Sequence, residues 1–221
     1  MALIIGLSGK KQAGKNTVCD FLKNRILSED SIFSCHNCKI YSFADPLKRF
    51  CIDIMGLTEK QCYGTDEEKN SLTIYKWDNL FFDIGKKYAN DGYLPSGHMT
   101  SRHIMQVFGT DIMRNMFDED IWVNATLKMI HSQMTHKNDI AFISDVRFPS
   151  EVNAVHNEKD GYIIRLTRKV FDDNHPSETA LDDFDFAQLG EKCCIIDNMD
   201  MTIEEQNKIA EKFVEEKVCQ E

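Results

Sequence analysis

The chain holds 221 residues, 42% of them apolar and 28% charged, with a formal charge of −10 at pH 7. That length can bury one full core with room for a subdomain or a covering loop. The acid excess excludes a general binder of nucleic acid or of anionic membrane, so any anion site has to be a local gathering of cations and backbone N–H groups.

Residues 2–8 are short, apolar and β-branched, the pattern of a buried strand. The stretch "GLSGKKQAGKNT", residues 6–17, follows, and within it Gly9-x4-Gly14-Lys15 is the frame of a phosphate-cradling loop. A helix is expected over 15–27, with Val18, Phe21, Leu22 and Arg25 three or four apart. Lys10, Lys11 and Lys15 lie after the apolar run, against a secretory signal, and no run approaches the ~18 apolar residues of a membrane span. A soluble, cytoplasmic chain is therefore expected. Cys35-His36-Asn37-Cys38 has the look of a zinc motif, but no second pair stands at matching spacing, and the adjacent Cys193 and Cys194 would diverge on a strand. The cysteines are read as reduced thiols.

Residues 39–43 read as a strand, and Pro46 suits the first turn of a helix over 47–55. Residues 58–100 are polar, aromatic and irregular, with few β-like runs, and are read as an inserted substrate-binding region. "YLPSGHMTSR" leads to a helix over 101–108, capped by Thr100 or Ser101 and broken at Gly109; another helix covers about 119–134. "DIAFISDVRF" is a strand ending on Asp145, followed by a helix over 149–158; strands at 162–168 and 193–196 and a helix over 203–218 complete the chain. Strands alternating with helices predict an α/β fold with a parallel central sheet flanked by helices in three layers.

The phosphate loop sets the chemistry. Consecutive N–H groups and a helix N-terminus converge on anionic oxygens, and Lys15 reaches the β- and γ-phosphates. Where the usual frame has a hydroxyl on Mg²⁺ this chain has Asn16, so Thr17 or a bridging water would take that contact. Asp145, at a strand's carboxyl end, suits a second, water-mediated metal carboxylate, or else a turn cap. Phosphoryl transfer also needs cations on the acceptor; Lys48, Lys69, Arg102, Arg114, Arg147, Arg165 and Arg168 are the candidates. Arg102 and Gln106 share one helix face, and a glutamine amide can read a base edge. Trp122 fits either a core or a site, Asp111 fits a turn cap, and Arg147 with Glu151 fits a helix pair.

Taken in order, "GLSGKKQAGKNT", "SFADPLK", "SRHIMQVFGTDIMR", "DIWV", "FISDVRFPSE" and "HPSE" resemble the deoxynucleoside monophosphate kinases of bacteriophages and large DNA viruses. The likeness covers nearly the whole chain and is weakest over 55–98. It implies a P-loop NTPase fold with a mainly helical substrate-binding insert: a core over about 1–55 and 136–221, an insert over about 56–135 and a lid loop over about 168–182. It implies transfer of the ATP γ-phosphate to a deoxynucleoside monophosphate with Mg²⁺, in the host cytoplasm if the chain is viral, and a homodimer as a family-level expectation. By the same resemblance, Lys10, Gly14, Lys15, Asn16 and Thr17 belong to the phosphate loop, with Arg168 and Asn198 on the donor side. Leu47, Lys48, Lys69, Arg102, Gln106, Gly109, Thr110 and Trp122 would meet the acceptor. Asp145, Arg147 and Glu151 would stand between donor and acceptor, with Lys15, Arg102, Asp145 and Arg147 carrying catalysis and Thr17 and Asp145 the metal. His175 and Glu178 match a family segment on the lid. A phosphomevalonate-kinase-like enzyme and an ATP-gated binding module are the alternatives.

Overall fold

A computed structural model of the chain describes residues 2–29, 33–169 and 179–218. Contacts between backbone positions divide it into two compact units, one over residues 1–43 and 126–221, the other over Ala44–Ala125.

The first unit is built on five parallel strands: β1 (Leu3–Ser8), β2 (Cys38–Tyr41), β5 (Ile140–Val146), β6 (Gly161–Leu166) and β7 (Cys193–Ile196). Their order across the sheet is β2-β5-β1-β6-β7. β1 lies in the middle, with Ile5 opposite Phe142 on one side and Tyr162 on the other. All six residues of β1 are buried, as expected of a strand covered on both faces, and this explains its continuous apolar run. One face packs Leu3, Ile5 and Leu7 against Val18 and Leu22 of helix α1 (Lys15–Ile26) and Ala210, Phe213 and Val214 of the last helix, α9 (Ile203–Val218). On the other face, toward α8 (Pro149–Asn157), a Cβ at Gly6 would lie 2.9 Å from both Ile163 Cδ1 and Val146 Cγ2, so glycine there leaves room for the side chains of the two neighbouring strands. Because the strands are parallel, the segments that leave their carboxyl ends all emerge on one edge of this unit. On that edge lie the phosphate loop after β1, Ser42 after β2, Asp145 near the end of β5, Arg168 after β6 and Asn198 after β7.

The second unit holds α2 (Asp45–Asp53), α3 (Glu59–Tyr63), α4 (Asp66–Lys69), α5 (Phe82–Lys87) and α6 (Ser101–Gln106). Its core is Cys51, Leu57, Cys62, Trp77, Ile84, Met99, Ile104 and Val107. Two local expectations are corrected here. The stretch read as poor in β structure contains an antiparallel pair, β3 (Leu72–Lys76) and β4 (His98–Thr100). Its alternation is inverted: Leu72 and Ile74 are exposed while Thr73 is buried, donating its hydroxyl to the Met99 carbonyl at 2.9 Å. Gly109 does not break a helix. α6 runs directly into an 11-residue π-helical segment, Val107–Phe117, and a Cβ at Gly109 would collide with Leu47 Cδ2. The glycine serves close packing rather than termination. Helix α7 (Ile121–Gln133) contains the boundary between the units.

Candidate active site

The sequence reads strand, glycine loop, helix, and that is what forms. Gly9 has φ 157°, Gln12 φ 61° and Gly14 φ 103°, so the loop winds through left-handed conformations on its way into α1. Gly14 N-caps α1 with no side-chain cap, leaving the first-turn N–H groups to face an anion. A Cβ on Gly14 would crowd the Gln206 amide, and one on Gly9 would lie 3.0 Å from the Leu166 carbonyl. Lys15 is 8% exposed and folds back over the loop, its Nζ donating to the carbonyls of Gly9 at 2.6 Å and Lys10 at 2.8 Å. The cation is thus stored at the loop's centre. Asn16 and Thr17 are both exposed on the first turn of α1. Lys10 forms an ion pair with Asp182 at 2.8 Å.

Asn198 is 1% exposed and braces this loop. Its Nδ2 donates to the Ala13 carbonyl at 2.8 Å and to Gln206 Oε1 at 2.6 Å, while its Oδ1 accepts from the Arg168 backbone N–H at 2.9 Å. One amide therefore ties the phosphate loop, the exit of β6 and helix α9 together. Beside it an open cavity of about 540 Å³ is lined by Asp197, Met199, Met201, Glu205, Lys208 and Ile209 among others. The Arg168 side chain is exposed.

Asp145 is gripped by the segment after β2: Oδ2 accepts from the Ser42 hydroxyl at 2.6 Å and Oδ1 from the Phe43 backbone N–H at 2.7 Å. The register Tyr41 opposite Ile143 sets this alignment. Arg147 follows β5 and is half-buried; its backbone N–H donates to Glu151 Oε2 at 2.7 Å, and Phe148 N–H does so at 3.2 Å. Glu151 is 2% exposed, so this carboxylate closes the N-terminus of α8 and fixes the backbone on which Arg147 sits. Arg165 donates to the Ser8 hydroxyl at 2.9 Å and stands over the Phe186 ring at 4.8 Å; burial lowers its pKa.

In the second unit three of the candidate cations come together. The Lys69 pKa is lowered, first by burial and then by the positive charges of Lys48 and Arg102. The Asp66 carboxylate, paired with Arg102, offsets part of this charge, and a bound anion would offset more. Each is positioned locally. Lys48 lies over the Tyr63 ring at 4.4 Å. Lys69 ends α4, whose Thr65 and Glu68 form a capping box, and the fully buried Ser101 hydroxyl donates to the Lys69 carbonyl at 2.7 Å. Arg102, on the first turn of α6, donates through Nη2 to Asp66 at 2.6 Å and through Nε to Asn70 at 3.0 Å. Gln106 ends α6, one turn beyond Arg102.

The remaining acceptor-side candidates sit in the same unit. Leu47 packs under Gly109, and Trp122, 7% exposed, donates through Nε1 to the Gly109 carbonyl at 2.9 Å. Phe50 and Phe108 stack at 4.6 Å with 9° between their planes. Thr110 is exposed. Asp111 is not a turn cap: it is buried in the π-helical segment, pairing with Lys87 Nζ at 2.7 Å and accepting from the Tyr88 hydroxyl at 2.7 Å. Arg114 is half-buried in the same segment. His175 and Glu178, and most of the expected lid, fall outside the described residues. Ser42, Ser101 and Asp111 carry no such sign in the sequence, since each works through a partner more than 20 residues away, and Gln206 works through Asn198 across the turn before α9.

Comparison with known proteins identifies the family. The model of the family "Deoxynucleotide monophosphate kinase" matches residues 65–209. A protein of Acanthamoeba polyphaga mimivirus, provisionally described as a deoxynucleotide monophosphate kinase, is 30% identical over 190 residues, covering 81% of this chain and 82% of its own. The deoxynucleoside-5'-monophosphate kinase of Escherichia phage T5 is 24% identical over 226 residues, covering 82% of this chain and 86% of its own. With a family match over most of its length, and with its glycine loop following the middle strand of a parallel sheet, this chain belongs to the deoxynucleotide monophosphate kinase family.

Proposed function

We propose that the chain transfers the γ-phosphoryl group of ATP to a deoxynucleoside monophosphate, releasing ADP and the deoxynucleoside diphosphate. The observation that supports this reading is that an acidic chain gathers cations in two separate places suited to an anion. One is the loop of Gly9, Gly14 and Lys15; the other is Lys48 with Lys69 and Arg102. Transfer between two phosphates brings like charges together, and catalysis consists largely of holding and neutralising them. A single-phosphate switch has no use for the second group.

On the donor side, the loop N–H groups and Lys15 take the β- and γ-phosphates. Swinging Lys15 from the Gly9 and Lys10 carbonyls onto phosphate exchanges two neutral acceptors for an anion. Asn198 holds the loop in shape, and the open cavity lined by Met199, Met201 and Ile209 has apolar flanks suited to a base. On the acceptor side, Arg102 gives up Asp66 for the monophosphate, with Lys48 and Lys69 beside it, and Gln106 faces the base. Arg147, its backbone fixed by Glu151, is the further cation for charge developing on the transferred group.

The residues present fit Mg²⁺. Asp145 is a carboxylate aligned by the hydrogen bonds from Ser42 and Phe43 described above; Thr17 and Asn16 stand exposed at the helix start. When bound, the ion would supply positive charge that offsets the charge of the phosphates. These residues would hold it through water.

The test is ADP release from ATP with each of the four deoxynucleoside monophosphates, and with phosphomevalonate as a competing acceptor. Acceptor-dependent release with at least one deoxynucleotide and none with phosphomevalonate supports the reading. Tight ATP binding with no acceptor-dependent release refutes it.

A further inference from the structure

The amino edge of the first unit's sheet lies at the opposite ends of the strands from the phosphate loop, and it carries a cluster that phosphoryl transfer does not use. His36 precedes β2, and His136 and Asp139 form the turn before β5. One nitrogen of each imidazole and one Asp139 oxygen lie within 4.8 Å of one another. We propose that His36, His136 and Asp139 bind one divalent transition-metal ion of the imidazole-preferring kind, such as zinc.

The geometry supports this in three ways. First, His36 Nδ1 stands 3.1 Å from Asp139 Oδ1. Two ligands held at about 2.0–2.2 Å from one tetrahedral zinc ion are separated by roughly 3.3–3.6 Å, so this pair needs only a small spread to form one edge of a coordination shell. Second, the carboxylate is fixed in advance. Asp139 is 2% exposed; its Oδ2 accepts from the His136 backbone N–H at 2.9 Å, and its own N–H donates to the His136 carbonyl at 3.0 Å. Oδ1 is thereby turned toward the imidazoles, and a buried carboxylate gains from a cation. Third, the two segments are already stitched together. His36 N–H donates to the Asn138 carbonyl at 3.2 Å, Asn138 Nδ2 to the Ser34 carbonyl at 2.9 Å and Ile140 N–H to the Asn37 carbonyl at 2.9 Å.

The two imidazoles stack at 4.8 Å with 26° between their planes, and both are exposed. Binding needs the His136 ring to turn about its side-chain bonds and release the Asn138 N–H, now 3.2 Å from its Nδ1. Two imidazoles and one carboxylate select zinc, nickel, cobalt or copper over magnesium, and water completes the shell. The ion would clip the lead-in of β2 to the turn before β5. The zinc-like string Cys35-His36-Asn37-Cys38 contributes only its histidine: Cys38 is buried in β2, its pKa pushed up to about 12 by burial, and Cys35 Sγ donates to the Asn37 carbonyl at 3.2 Å.

The experiment titrates the chelator-treated full chain with zinc chloride by calorimetry and follows melting temperature in parallel. The expected result is one saturable equivalent per chain and a melting temperature that rises with zinc. Affinity should fall at least about tenfold in His36→Ala and in His136→Ala, as for loss of a metal ligand or its partner. Both variants keep acceptor-dependent ADP release at the wild-type rate, and Cys35→Ser keeps zinc affinity. Absence of saturable binding, affinity unchanged in both histidine variants, or loss confined to Cys35→Ser would each overturn the proposal.

Discussion

Replacing Asn198 by alanine isolates the brace under the phosphate loop. The side chain is 1% exposed and makes three hydrogen bonds, to the Ala13 carbonyl, Gln206 Oε1 and the Arg168 N–H. Each such bond contributes about 0.5–1.5 kcal/mol net, and a partner left buried and unmet costs somewhat more. The three together place the loss at about 2–4 kcal/mol, the Arg168 end at the low side because that residue is exposed. The loss falls on one ligand site. The Ala13 carbonyl precedes Gly14, the cap of α1, so the loop N–H groups lose their alignment while Lys48, Lys69 and Arg102 are untouched. Urea unfolding measures the stability, and steady-state ADP release gives the KM for ATP and for the acceptor. The reasoning predicts a lower midpoint at unchanged denaturant slope, a raised ATP KM and an unchanged acceptor KM. A stability change under about 0.5 kcal/mol with ATP KM unaltered would refute the brace.

Lys69 makes acceptor binding pH-dependent. Its pKa lies below the ordinary 10.5 in the free protein, and a bound phosphate, by favouring the charged form, raises it. Acceptor affinity is therefore full below the free-protein pKa and declines as pH rises through the interval up to the pKa in the complex; Lys69→Arg should abolish that decline in an acceptor KM profile. Gly109→Ala forces a methyl group against Leu47, so a thermal melt should show a loss of about 1–3 kcal/mol, and Leu47→Ala in the same chain should restore part of it. Asp111→Asn removes the charge that pairs with Lys87 and accepts from Tyr88; urea unfolding should show a loss of roughly 1–2 kcal/mol, and Tyr88→Phe a smaller one.

What could be read in the sequence was what is local. The run from β1 through the glycine loop to α1 is legible because β-branched burial, left-handed glycines and helix spacing each leave a mark within a few residues. The hairpin of β3 and β4 was not legible because its buried residue is Thr73 while Leu72 and Ile74 face solvent, the reverse of the usual signal. The π-helical run was missed because its glycine resembled a helix stop. Pairings between distant residues, such as Ser42 with Asp145 or Asp111 with Lys87, depend on strand register and packing that no short window contains. Lys69 was placed with Arg102 only by the family resemblance, since no short window shows that α4, which ends on Lys69, brings their charges close.

The central claim is that donor and acceptor phosphates are held by different cations. It is tested most directly by measuring equilibrium binding of a non-hydrolysable ATP analogue and of each deoxynucleoside monophosphate to Lys15→Ala and Arg102→Ala. The account predicts that Lys15→Ala weakens the ATP analogue and spares the monophosphate, and that Arg102→Ala does the reverse. Equal loss of both ligands in Arg102→Ala, or monophosphate binding unchanged by it, would contradict the account.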